Sequence, residues 1–300
     1  MDVFKLRPED QGFLPISKDS FEHETLRKAP WYQRNGRGEE VQYAVCPACD
    51  NPIQIIGLYR LSKQVDQPFG RHTIHGVPGL VSLNPEEREN CPYFRPRPRV
   101  KTDRRPQMSL VSHKILDLLV TQFDRVMYLL RKQTGINFSQ NLAQKMLLAY
   151  RAERGYLYTG ATLMNVPWIF AYMSDSQSLF GQYVADNPDL ARAIRETMPD
   201  AEITSDGRIQ SRNKKFLPIH VSFIHHRLKK DREDYGLEET MQMVVATDEP
   251  GSIIPHPIFR QTIRFDYEEF QRLIAIPDGQ GKRRMDHVDL AMGILGDLLP

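Results

Sequence analysis

Two cysteines separated by two residues, Cys46 and Cys49, form the strongest chemical motif in this sequence. A C-x-x-C turn brings two thiolates to one side of the chain, where they can share a tetrahedral zinc ion at about 2.3 Å each. The only other cysteine is Cys91, and two histidines lie between the two cysteine segments. The zinc ligands that this spacing predicts are Cys46, Cys49, His72 and Cys91, with His75 as the alternative fourth ligand.

A zinc ion with four protein ligands has no open position for a substrate, so the predicted Zn²⁺ is structural. The surrounding segment is rich in loops, and a bound ion would stabilise its folding. The alternatives are ordinary reduced thiols, a redox dithiol and an open catalytic zinc. A redox dithiol normally begins a helix, whereas the residues after Cys49 resemble a strand. The sequence contains no zinc-hydrolase or deaminase signature.

Basic residues cluster along the chain, although its net charge is only +2. Residues 95–107 form a Pro/Arg linker that begins with alternating arginine and proline, which favours an extended backbone that presents its cations in series. If six phosphates were neutralised, the log–log salt slope would be about −5. The candidate nucleic-acid contacts are Arg95, Arg97, Arg99, Lys101, Arg104, Arg105, Lys214, Lys215, Arg227, Lys229 and Lys230. The alternative is an ordinary solvated surface.

No motif predicts catalysis, so the catalytic residues are unknown from sequence. The chain lacks a phosphate-binding P-loop, a dinucleotide-binding glycine motif and a G-x-S-x-G elbow. His220 begins an H-x-S tripeptide, but phosphoesterases of that form need a second copy, which is missing. His225 and His226 are adjacent in a strand-like segment, where one of two neighbours usually faces the core. An enzyme that uses these three histidines stays open as an alternative.

The predicted fold class is α+β, with five segments of different character. These are an extended lead-in over 1–40, a zinc-knuckle or ribbon-like module over 41–94, a Pro/Arg linker over 95–107, a helical domain over 108–200 and a small α+β region over 201–300. Apolar spacing and capping residues predict five helices in the helical domain. They run from Ser109 or Ser112 to Lys132, from Ser139 to Arg154, from Asn165, over about 176–185, and from Asn187 to about Met198.

The composition places this chain among ordinary globular proteins. Hydrophobic residues make up 40% and charged residues 26%, which excludes wholesale disorder. Three cysteines in one segment do not suit a secreted disulfide scaffold, so a reducing compartment, the cytoplasm, is expected. Residues 155–174 carry no charge, but they include glycine, asparagine and proline. We interpret them as part of a folded domain and expect no membrane association.

Three functional hypotheses follow from these observations. The leading hypothesis is a zinc-stabilised, non-catalytic nucleic-acid-binding or accessory protein of the zinc-finger type, in which the linker arginines contact phosphates. The second is a protein-interaction or assembly subunit whose zinc is purely structural. The third is an enzyme with an uncharacterised histidine-containing site. Nucleic acid and a protein are therefore the two candidate partners.

Overall fold

The computed structural model describes residues 1–61, 66–230, 235–248 and 254–299. Four small sheets and nine α-helices in these residues confirm the predicted α+β class. Buried apolar side chains form two clusters. One belongs mainly to residues before Phe94, and the other spans the helices and the C-terminal sheet.

The N-terminal region is built on a four-stranded antiparallel sheet in the order β3-β4-β5-β6. Its elements are β1 Val3–Phe4, β2 Leu14–Pro15, α1 Lys18–Thr25, β3 Tyr32–Arg34, β4 Glu40–Val45, β5 Pro52–Ile56, β6 Phe69–His72 and α2 Pro85–Asn90. The first 40 residues, predicted as an extended lead-in, thus contain a helix and three short strands. The reason is burial, because Phe4 and Phe21 are fully buried against Tyr32.

The Pro/Arg segment that follows this region is held at its C-terminal end by Arg105. The Arg105 guanidinium donates to both carboxylate oxygens of Glu87 in α2, at 2.9–3.2 Å. It also donates to the carbonyl oxygens of Tyr158 and Ala161. The Arg105 and Glu87 side chains are only 2% and 1% exposed. The segment is therefore fastened between the two clusters at this point.

The middle region is helical, as predicted. Its helices are α3 Leu110–Thr121, α4 Phe123–Thr134, α5 Gln140–Ala152, α6 Val166–Met173 and α7 Pro188–Thr197. Ser109, Ser139 and Asn187 cap α3, α5 and α7 with their side-chain oxygens. These caps are short-range features, which is why the sequence located the starts of these helices well.

Two predicted helices in this region differ from the structure. The helix expected to end at Lys132 is divided at Gln122, where Arg283 binds the neighbouring Asp124 from a distant part of the chain. The helix expected over 176–185 is absent from the structure. Instead, β7 Gln177–Ser178 pairs with the C-terminal sheet. Both differences come from long-range contacts that local spacing does not encode.

The C-terminal region adds a hairpin, a larger sheet and two helices. Its elements are β8 Ala201–Ile203, β9 Ile209–Ser211, β10 Ile219–Lys230, β11 Leu237–Thr247, β12 His256–Arg264, α8 Tyr267–Ala275 and α9 Met285–Leu295. The larger sheet has the order β12-β11-β10-β7. Gly207 lies in the β8–β9 turn with a φ of +88°, close against Ala185. Gly207 thus closes the tight turn between these two strands.

This sheet and the helices share one apolar core. The Trp168 ring in α6 stacks on Phe265 with a centroid separation of 4.8 Å. The uncharged stretch 155–174 lies almost entirely inside this core, and Val166 to Met173 are all buried. Among the residues described, no helix combines the length and apolar character needed to cross a bilayer.

We expect Arg105→Met to lower the free energy of unfolding by about 3–5 kcal/mol, because Glu87 would stay buried without its partner. Urea denaturation followed by circular dichroism measures this loss. The matched control is Arg95→Met, whose partner Glu89 is partly exposed; its cost should stay below about 1 kcal/mol. Similar losses for the two variants would show that the buried pair does not anchor the segment.

Candidate metal centre

Cys46, Cys49, His72 and Cys91 converge on one buried point, with their ligand atoms all within 4.8 Å of one another. The turn between β4 and β5 carries the first two cysteines, β6 ends at His72, and Cys91 follows α2 directly. Three separate segments therefore meet at this point. His75, the alternative fourth ligand, lies beyond β6 with an exposed side chain and is not part of the group.

The distances between the donors fit a tetrahedral ion. The Cys46 and Cys91 sulfurs are 3.7 Å apart, and the Cys49 sulfur lies 3.3 Å from His72 Nε2. Zinc bonds of about 2.3 Å to sulfur and 2.0–2.1 Å to nitrogen would place such atoms about 3.8 Å and 3.6 Å apart. The group is therefore close to the required geometry.

The knuckle that carries Cys46 and Cys49 is shaped by the two residues that follow it. Asp50 has a φ of +58°, the left-handed conformation that Asp and Asn tolerate better than most residues. Its backbone N–H donates to the Cys46 carbonyl at 3.0 Å. The Asn51 side chain donates to the Cys49 carbonyl at 3.2 Å and accepts from the Asn84 N–H at 2.7 Å. Short-range hydrogen bonds thus aim both thiols inward.

The three buried thiols shift one another's pKa values in opposite directions. Burial acts to raise the pKa of Cys46, but hydrogen bonds with Cys49 and Cys91 outweigh it and hold that pKa well below its ordinary value. Burial raises the pKa of Cys49 and of Cys91 well above the ordinary value, and Cys46 adds to the effect. Burial without a metal therefore disfavours the thiolate forms of Cys49 and Cys91. A divalent ion would stabilise all three thiolates.

A buried ion pair network connects the knuckle to the rest of the molecule. The Asp50 carboxylate lies 2.5 Å from the amino groups of both Lys5 and Lys114. Lys5 belongs to the N-terminal arm, which is the segment 1–16 before α1, and Lys114 belongs to α3. The residue that shapes the metal knuckle therefore also ties it to the second cluster, and no spacing rule in the sequence indicates this contact.

The three candidate histidines of β10 do not form one site. His226 is buried, with Nε2 3.1 Å from Glu239 and Nδ1 3.1 Å from the Tyr158 hydroxyl. His225 is exposed, and His220 lies 3.8 Å from the exposed Asp248. A β-bulge at His225, with a φ of +56°, turns His226 toward the core. Both ring nitrogens of His226 are engaged, so the arrangement resembles a buried polar network.

The basic residues of the Pro/Arg segment have different environments. Arg95 and Arg97 are exposed, whereas Arg99 and Lys101 are half-buried. Arg99 donates to Asn90, and Lys101 lies 3.5 Å from Asp175. Arg104 is held by Glu153. Arg105 is buried and already paired, so it has no exposed face with which to reach a phosphate.

The candidate basic residues outside the Pro/Arg segment lie near the two ends of a long strand. Lys214 and Lys215 precede the start of β10 at Ile219, whereas Arg227, Lys229 and Lys230 lie near its end. The first and last residues of this strand are eleven steps of about 3.3 Å apart, so its two ends are separated by roughly 36 Å. Lys230 donates to the Tyr93 carbonyl at 3.2 Å, so this end of β10 lies beside the Pro/Arg segment.

Sequence reasoning missed three buried contacts that support these sites: Asp50 with two lysines, Glu87 with Arg105, and Glu239 with His226. In each case the partners are far apart in the chain. No local sequence signal therefore indicates these pairs.

Comparison with protein-family models, curated proteins and solved structures returns no match for this chain. The functional conclusion therefore rests on the chemistry and geometry of its own residues.

We expect the purified protein to carry about one equivalent of a tetrahedral divalent metal per chain, because four buried donors converge. Cys91→Ser and His72→Ala should each lose most of it, as measured by mass spectrometry of the metal content. His75→Ala is the matched control and should retain it. A metal-free wild-type protein, or equal loss in the His75 variant, would contradict this assignment.

The affinity for added Zn²⁺ should rise with pH. Cys49 and Cys91 have raised pKa values, so they hold protons at neutral pH without metal, and binding must displace them. Competition with a chromophoric chelator between about pH 6 and 8 measures the trend, and calorimetry in two buffers should report release of about two protons. An affinity independent of pH would mean that the thiols are not the ligands.

Proposed function

We propose that this chain is a zinc-stabilised, non-catalytic protein that binds nucleic acid through the arginines of its Pro/Arg segment. Zn²⁺ would be held by Cys46, Cys49, His72 and Cys91 in a closed, structural site. The distances between donors and the need for a cation among three buried thiols support zinc. The exposed arginines and their attachment to this site support a polyanionic partner.

The observation that carries the proposal is that the arginine segment is fastened at both ends. The Cys91 carbonyl accepts hydrogen bonds from the N–H groups of Phe94 and Arg95, at 3.1 and 2.9 Å. The other end is fixed by the buried Arg105. A metal at Cys91 would therefore define where the arginines begin, so that less conformational entropy is lost when they contact a ligand.

The charges around the segment favour an anionic partner. Among the described residues, no carboxylate forms a salt bridge with Arg97 or Arg99. Arg95, Arg97 and Arg99 line a small recess together with Leu228 of β10. Desolvation, and after it the nearby Arg97, lowers the pKa of Arg99, although Asp103 acts in the opposite direction. A phosphate backbone would relieve this repulsion.

The structure narrows the predicted set of phosphate contacts. We retain Arg95, Arg97 and Arg99, joined by Arg227 and Lys229 at the adjacent end of β10. Arg105 is left out because its role is to anchor the segment. Free thiols and zinc–thiolate bonds are compatible with a reducing compartment, and we propose the cytoplasm.

We expect the double variant Arg97→Gln/Arg99→Gln to weaken binding to a single-stranded oligonucleotide and to make the log–log salt slope shallower by about 1.5–2. Fluorescence anisotropy over a series of salt concentrations measures both quantities. The matched control is Lys214→Gln/Lys215→Gln, which removes the same charge at the far end of β10 and should leave the slope unchanged.

Two results would overturn the proposal. One is the absence of binding by the wild-type protein at low salt. The other is an equal loss of affinity in the two double variants, which would show that only net charge matters. Unchanged thermal unfolding of each variant shows that the fold is intact.

A further inference from the structure

A cavity of about 290 Å³ lies where the N-terminal arm, the metal knuckle, α3 and α8 meet. Its position is notable because four separate parts of the chain contribute to it. Pro8 and Phe13 come from the arm, Pro47 from the knuckle, Leu118 from α3 and Ile274 from α8. The polyanion site proposed above uses none of these residues.

The interior of the cavity is apolar. Its side chains include Phe13, Leu118, Leu163, Met164, Phe270 and Ile274. Of these, Leu118, Met164 and Phe270 are buried in the clusters. Ligand pockets in proteins typically begin at about 300 Å³ and combine such a lining with a few polar groups. The cavity thus has the size and lining of a site for a small organic molecule.

The two lysines at the cavity are already neutralised. Lys5 donates to the carbonyl oxygens of Pro8 and Asp10 and forms an ion pair with Asp50. Lys114 pairs with the other oxygen of Asp50 and donates to the Pro8 carbonyl. These amino groups have little left to offer an anionic ligand.

The carboxylates at the mouth of the cavity, in contrast, form no salt bridges with described residues. Glu9, Asp10 and Asp117 line the cavity and are exposed, and none forms a salt bridge within the described part of the chain. With Asp50, four carboxylates face two lysines. The local charge is negative, although the whole chain is slightly positive. Such a mouth attracts cations and repels anions.

We propose that this cavity binds a small organic cation, an amine with an aliphatic or aromatic body of about eight to ten heavy atoms. The apolar body fills the space between Leu118, Phe270 and Ile274. The ammonium group stays at the mouth, where Asp117 and Glu9 can accept its hydrogen bonds. A bare metal ion does not suit the site, since the apolar walls offer it no ligands.

A series of three probes with one chain length tests the charge preference: octylamine, octanol and octanoate. Titration calorimetry on the full chain should give saturable octylamine binding at about one site per chain. Octylamine should bind about tenfold more tightly than octanol, and octanoate should bind most weakly. Asp117→Asn, an exposed change, should weaken octylamine about threefold and leave octanol unaffected.

A cavity-filling variant tests the location. Ile274→Trp should abolish binding of octylamine and octanol, whereas Leu148→Trp, at an exposed position outside the cavity, should change neither. The proposal is overturned if octanoate binds as tightly as octylamine, if no probe saturates, or if Ile274→Trp still binds. Should Ile274→Trp fail to fold, the Asp117→Asn comparison decides, and an unchanged octylamine affinity there overturns the proposal.

Discussion

The first hundred residues depend on bringing four donors from three separate segments to one buried point. Burial raises the pKa of Cys49 and of Cys91, so their thiolates are disfavoured unless a cation lies among them. The small sheet around them offers a limited apolar cluster of its own. A metal at this point would therefore connect the β4–β5 turn, the end of β6 and the loop after α2.

Two contacts connect the metal centre to the rest of the molecule, one through a carbonyl group and one through a carboxylate. Cys91 holds the start of the arginine segment, and Asp50 joins the knuckle to Lys5 and Lys114. The metal centre is thus joined to the start of the arginine segment, and Pro47 of its knuckle lines the cavity. The arginine segment and the mouth of the cavity have opposite charges, and both are attached to the metal centre. A single structural ion could therefore affect the position of both.

The sequence allowed prediction of the features that short-range chemistry determines. The C-x-x-C turn and the serine and asparagine caps depend on neighbours within a few residues. The structure also brings His72 rather than His75 to the cysteines, in agreement with the first choice between them. The α+β class followed from the change of pattern along the chain.

Contacts between distant segments could not be predicted in the same way. The burial of Arg105 depends on Glu87 and on two carbonyl groups beyond residue 157. The break at Gln122 depends on Arg283, and the short strand at Gln177 depends on β10. Each of these residues has an ordinary local sequence. Their roles are set by partners that a single sequence does not pair.

The bulge at His225 has a consequence for the length of β10. Before it, the more buried positions are the odd-numbered Ile219, Val221 and Phe223; after it, they are the even-numbered His226, which is buried, and Leu228 and Lys230, which are half-buried. The parity of the inward positions therefore changes from odd to even, and Arg227 and Lys229 point to solvent. Deleting the one extra residue at the bulge would therefore keep both cations in solvent, whereas a strand of the same length without the bulge would direct them toward the core.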